Sequence, residues 1–177
     1  MNRDDVEKYV CTACGDHFIL DNEVHQEDSS IHEEKLVCCS CGRRYPVIDG
    51  IPRFVPAENY ADSFGYQWNI HRKTQLDSYT GLSISRNRLF TVSGWSEHLE
   101  GERILEAGSG AGRFTEALLQ TGADVFSFDY SSAVEANWIN NGNMPNLHLF
   151  QGDIFNIPLP KKSFDKVICL GVLQHTP

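Results

Sequence analysis

The stretch Ile104-Leu105-Glu106-Ala107-Gly108-Ser109-Gly110-Ala111-Gly112-Arg113-Phe114 reads as a buried strand that runs into a glycine-rich turn and opens a helix. An acid, Glu106, closes the strand two residues before the first glycine. Glycines so closely spaced let the main chain turn sharply and approach a ligand. The dinucleotide-binding fingerprint is G-x-G-x-x-G, with a pyrophosphate on the helix N-terminus. Here the run is Gly108-x-Gly110-x-Gly112, followed by Arg113. That combination suits a cofactor that has ribose hydroxyls and no pyrophosphate.

The rest of the chain supplies the matching elements. The helix after the glycines shows Phe114, Ala117, Leu118 and Thr121 at helical spacing and stops at Gly122. Strands are expected over Val125 to Phe128, Leu147 to Phe150 and Lys166 to Leu170. Ser132-Ala133-Val134-Glu135 predicts a capping box opening a second helix, which the Asn141–Pro145 run breaks. Strands alternating with helices imply an α/β chain with a doubly wound, parallel, Rossmann-like sheet and ligands at the C-terminal strand ends. Asp129 ends the second strand, where a carboxylate can take both ribose hydroxyls. Asp153 follows the third, where it can accept from an adenine amine. One strand-end acid is an ordinary turn former. Three after successive strands favour S-adenosyl-L-methionine over a nicotinamide dinucleotide.

Two Cys-x2-Cys pairs lie near the N-terminus, Cys11/Cys14 and Cys38/Cys41, with 23 residues between them and a glycine after each. A tight turn sets two thiolates on one side, and glycine permits the conformation that closes it. Two such knuckles predict a closed, structural Zn2+ site of four thiolates. Cys39 is then the spare thiol, and Cys169 a small apolar residue of the fourth strand. His17, His25 and His32 are expected at the surface, because four cysteines fill the shell. The acidic Gln26–Ser30 stretch reads as a loop or hairpin tip, and Asp49-Gly50 as a turn between two short apolar runs.

Residues 57–100 predict one or two helices ahead of the first core strand, with Gly94 interrupting the second. Their aromatic residues pack on the sheet, or Tyr66, Gln67 and Trp68 face the cofactor as part of a lid. Bulk composition adds little. Fifteen Lys and Arg against 24 Asp and Glu give a net charge of -9 with no basic stripe, which disfavours a nucleic-acid partner. The start is polar with no apolar segment behind it, and no run has the length of a membrane span. A cytosolic setting, with reduced thiols, is the expectation.

The stretch from about residue 8 to 56, with Tyr45-Pro-Val-Ile-Asp-Gly-Ile-Pro52, resembles the zinc ribbons that partner methyltransferases or are fused to them. Residues 101–177 resemble the N-terminal half of a class I S-adenosylmethionine-dependent methyltransferase, in Leu105–Phe114, Phe128-Asp129, Gly152-Asp153 and Phe164–Pro177. That resemblance implies that Glu106, Gly108 and Gly110 surround the methionine end of the cofactor. It places ribose on Asp129, adenine beside Asp153 and Ile154, and the sulfonium near Leu170 and Gly171. His175 is the one titratable group just past the fourth strand, where it either acts on the acceptor's proton or caps a loop.

The family's domain has three further strands beyond the point where this sequence stops, so a fragment is expected, with the fourth strand as an open apolar edge. The expected organisation is a ribbon over 8–56, a helical connector over 57–100 and a partial cofactor domain over 101–177. The activity implied is methyl transfer to a small molecule or a glycan or lipid precursor. The rival is a non-catalytic module that binds a protein partner through the ribbon or the open sheet edge.

Overall fold

The chain was described from a computed structural model covering residues 3–24, 32–57 and 59–176, with side chains for 5–21, 34–57, 59–174 and 176. It divides into two compact units, residues 1–56 with 150–163, and residues 57–149 with 164–177. The 150–163 segment, which the sequence groups with the cofactor domain, falls in the first unit.

The first unit opens with a short helix, α1 (Arg3–Val6), followed by β1 (Phe18–Val24), β2 (His32–Cys38), β3 (Arg44–Ile48) and β4 (Ile51–Pro52). These form an antiparallel sheet in chain order. In β3 the alternation is strict. Tyr45 and Val47 are buried while Arg44, Pro46 and Ile48 are exposed, the period-two signature of a strand covered on one face. Asp49 and Gly50 both take positive φ, 53° and 79°, and pair Ile48 with Ile51 across a tight hairpin. The core is aromatic. Phe54 lies 5.1–6.1 Å, centroid to centroid, from Tyr9, Phe18, Tyr45 and Phe150. The predicted hairpin tip at Gln26–Ser30 and His25 lie outside the described residues.

The second unit carries three connector helices where the sequence predicts one or two. They are α2 (Asp62–Ile70), α3 (Asp77–Thr80) and α4 (Ile84–Ser93). The extra one is the single turn α3, which carboxylates at its start tie in place. Asp77 accepts from Ser85 N and Arg86 N at the start of α4, and Glu116 accepts from Asp77 N at the start of α3. Gly94 ends α4 in the left-handed conformation, where the interruption was expected.

There follow β5 (Arg103–Ala107), α5 (Arg113–Leu119), β6 (Asp124–Asp129), α6 (Ala133–Asn141), β7 (Leu147–Gln151) and β8 (Lys166–Ile168), then a 3-10 turn over Leu173–His175. The strand order is β7-β6-β5-β8, and β5 pairs in parallel with both β6 and β8. Ile104, Val125, Phe126 and Phe128 of the sheet and Leu118 and Val134 of the helices form the apolar core. β8 stops at Ile168, short of the expected Leu170, because its last partner is Glu106 and β5 turns away at Gly108.

The expected capping box on α6 is not made. Ser132 occupies the N-cap but its side chain makes no cap hydrogen bond, its ψ of 2° lying outside the extended range a capping residue adopts. Ser131 Oγ accepts from Ala133 N at 3.2 Å instead. Among the described residues no helix is long and apolar enough to cross a membrane.

Candidate functional site

The glycine turn sits where β5 delivers it, at the C-terminal end of the parallel sheet. Gly108, Gly110 and Gly112 take φ of 79°, 53° and 87°, all in the left-handed region that side chains resist. Gly108 N and Ser109 N both donate to Phe128 O, at 2.8 and 2.9 Å, and so pin the turn to the end of β6. Gly110 N donates to Asp129 Oδ2 at 2.9 Å. The other oxygen of Asp129 accepts from Ser131 N and Ser131 Oγ, at 2.9 and 2.7 Å. Asp129 is thus held rigid at a strand end, with lone-pair capacity left on Oδ2.

Close packing adds to the need for glycine at Gly108, where a Cβ would lie 2.1 Å from Val172 Cγ2. A Cβ on Gly110 would lie 3.4 Å from the Trp68 indole ring, an ordinary contact that places this ring against the turn. Val172 follows Leu170 and Gly171 after β8, so that segment reaches the turn through a residue the sequence reading did not single out. Of the three connector residues named as lid candidates, Trp68 alone lies against the turn. Tyr66 and Gln67 are exposed, Tyr66 at 71%.

Glu106 faces the helices. Its Oε2 accepts from Thr115 Oγ1 at 2.5 Å and from Ser127 Oγ at 2.8 Å. Its Oε1 is buried and has no hydrogen-bond partner among the described residues, and the same is true of Ser109 Oγ in the turn. Burial, with the nearby Asp129 charge adding to it, outweighs the two hydroxyls and pushes the carboxyl up to about 7. Buried polar atoms left without partners inside a protein are costly, and the one in the turn, Ser109 Oγ, fits a polar ligand.

Asp153 and Ile154 follow β7 in the first unit. Asp153 Oδ1 accepts from Phe155 N at 2.9 Å, a local turn bond. His175 lies in the 3-10 turn after β8, and its side chain is outside the described residues.

The four predicted cysteine ligands come together in the first unit. The Sγ atoms of Cys11, Cys14, Cys38 and Cys41 all lie within 4.8 Å of one another. Cys11 and Cys41 are 3.7 Å apart and Cys14 and Cys38 3.4 Å, close to the roughly 3.8 Å edge of a tetrahedron with zinc–sulfur bonds of about 2.3 Å. The two knuckles repeat one geometry. Gly15 N donates to Cys11 O and Gly42 N to Cys38 O, with both glycines at positive φ. The residues present therefore fit a tetrahedral thiolate-bound metal. Cys39 is exposed and outside the cluster, as expected, and His17 is exposed and paired with Asp16. Cys169 is only half-buried, less sheltered than a core position.

Residues 105–177 match the family described as a methyltransferase domain. Phosphoethanolamine N-methyltransferase 3 of Arabidopsis thaliana is 31% identical over 128 residues, which is 64% of this chain and 26% of that relative. The chain therefore spans about a quarter of its length. A candidate S-adenosyl-L-methionine-dependent methyltransferase from Methanococcus maripaludis superposes with a TM-score of 0.51 at 17% identity, over 69% of this chain and 55% of its own. A chain in the complex between the Haloferax volcanii Trm112 methyltransferase activator and its candidate methyltransferase gives 0.51 at 20% identity, over 63% of this chain and 48% of its own. These two similarities speak for the fold. Residues 105–177 are thus similar in sequence to a methyltransferase domain, and the parallel sheet is Rossmann-like.

Proposed function

We propose that this chain is part of an enzyme that transfers a methyl group from S-adenosyl-L-methionine to a small molecule or a lipid or glycan precursor. The observation that carries the reading is the bond from Gly110 N to Asp129 Oδ2 within a turn of three left-handed glycines. It couples a backbone cradle to a fixed carboxylate, the pairing that a ribose-bearing cofactor without a pyrophosphate needs. The orphaned Ser109 Oγ in the same turn gives such a ligand one more polar partner.

When bound, the cofactor supplies an activated methyl carbon on a sulfonium. The chain's own residues then bind and orient. Asp129 takes ribose hydroxyls, Gly108 and Gly110 allow close approach, and Glu106 braces the turn from behind. Leu170 and Gly171 line the wall near the sulfonium, and Asp153 and Ile154 serve the adenine. His175 is the residue assigned to the acceptor's proton. Zinc on Cys11, Cys14, Cys38 and Cys41 would hold the first unit closed and take no part in the chemistry. The setting in this reading is cytosolic.

The curated relative directs the first choice of acceptor, a phosphorylated amino alcohol. Titration calorimetry with S-adenosylmethionine and with NAD tests the cofactor assignment, and a methyl-transfer assay with phosphoethanolamine tests the acceptor. Binding of the first cofactor and none of the second is expected. Binding of neither would instead favour a module that docks a partner.

A further inference from the structure

Asn140 of α6 has both N–H bonds of its side chain committed to main-chain oxygens of two other segments. Its Nδ2 donates to Ala111 O in the glycine turn at 2.9 Å and to Arg72 O, two residues past the end of α2, at 3.0 Å. The rest of α2 is fastened to the start of α6. A Cβ on Gly65 would lie 2.2 Å from Ser132 Oγ, so the two helices touch backbone to side chain. Asn69 Nδ2 donates to Ser132 O at 3.1 Å. Two more asparagines of α6 hold the inner side of the turn. Asn141 Nδ2 donates to Gly112 O at 3.2 Å and to Asn137 Oδ1 at 2.8 Å. Asn137 Nδ2 donates to Thr115 Oγ1, which in turn donates to Glu106.

A helix of nine residues with no side-chain cap at its start has little stability of its own. The position of α2, and of Trp68 against Gly110, is therefore set by these tertiary bonds. We propose that Asn140 is a positioning residue that locks α2 to the glycine turn, making Trp68 a fixed wall of the cofactor site in place of a swinging lid. The role in cofactor binding rests on the function proposed above. The lock itself does not.

The test compares the intact chain with Asn140→Asp, which presents a carboxylate to two carbonyl oxygens and offers no donor. Leu89→Ala serves as a general destabiliser at a fully buried site in α4. Amide hydrogen exchange is followed without ligand, and S-adenosylhomocysteine binding is measured by calorimetry well below each variant's melting point. In Asn140→Asp, exchange is expected to rise together at residues 66–72 and 109–113, and the Kd to rise about tenfold, equivalent to about 1.4 kcal/mol. Leu89→Ala is expected to melt earlier with Kd unchanged. Unchanged exchange at 109–113 in Asn140→Asp, or the same local rise in Leu89→Ala, overturns the lock. Raised exchange in a chain that never bound the ligand supports the lock and overturns the cofactor reading.

Discussion

The main-chain N–H of Gly110 and Oδ2 of Asp129 are 2.9 Å apart, so the residue that ends β6 is bonded to the middle of the turn that follows β5. The carboxylate thereby has two tasks, shaping the turn and presenting charge to a ligand. Charge-assisted hydrogen bonds contribute about 1.5–3 kcal/mol, which corresponds to roughly a tenfold to hundredfold change in affinity. Asp129→Ala is expected to weaken S-adenosylhomocysteine binding by that factor in calorimetry and to speed amide exchange at Gly110. Asp129→Asn, which keeps an acceptor oxygen, is expected to protect Gly110 and recover only part of the affinity. Equal affinity in all three proteins would remove Asp129 from the site.

Gly108 combines a left-handed φ of 79° with contact on Val172, whose Cγ2 would lie 2.1 Å from an added Cβ. A side chain in that conformation costs about 1–2 kcal/mol, and overpacking about 1–3 kcal/mol more. Gly108→Ala should therefore lower the urea midpoint of the second unit sharply. Adding Val172→Ala should recover the overpacking share and leave the conformational share. If the double variant is no more stable than the single, Val172 is not what the new methyl meets.

The glycine turn, the strand-end acids and the paired cysteines are legible in the sequence because each is a local pattern with one physical cause. The α6 asparagines are not. Asn137, Asn140 and Asn141 share a helical face, yet a polar face normally points to water, and only the fold shows this one aimed at the turn. The orientation of Glu106 is hidden for the same reason. A strand-end acid and a strand-interior acid differ by one side-chain direction, and the hydroxyls that turn it inward, Thr115 and Ser127, come from other elements. The capping box failed because Ser131, one residue earlier, offers its hydroxyl first. Val172 lacked any signal, since apolar residues at such positions ordinarily fill the core, and Trp68 stood out only as one of three lid candidates.

Glu106 makes stability depend on pH. Its carboxyl is raised from 4.5 to about 7 in the folded chain, by burial first and by Asp129 second. Between those values the native state holds a proton that the unfolded chain has released. Stability is fully present below about 4.5 and declines as the pH rises through 7. The full effect is roughly 3 kcal/mol as an upper bound at about 1.36 kcal/mol per unit. Glu106→Gln should flatten the dependence of the urea midpoint on pH across that window. A variant that keeps the wild-type slope would assign the titration to another group.

Removal of the metal expected on Cys11, Cys14, Cys38 and Cys41 tests how far that cluster supports the fold. Structural zinc sites contribute on the order of 10 kcal/mol, more than the aromatic core of so small a unit can replace. Because residues 150–163 group with the first unit, the damage is expected to cross the sequence. With a strong chelator, amide protection should fall at 34–56 and at 150–163 together, including Phe155 N and Asn156 N on Asp153. Protection at 104–129 should persist. Cys14→Ser should reproduce the loss and Cys39→Ser should not, since Cys39 is exposed and outside the cluster. Protection lost at 34–56 alone would show that 150–163 does not depend on the cluster. Simultaneous loss at 104–129 would show that the two units unfold as one.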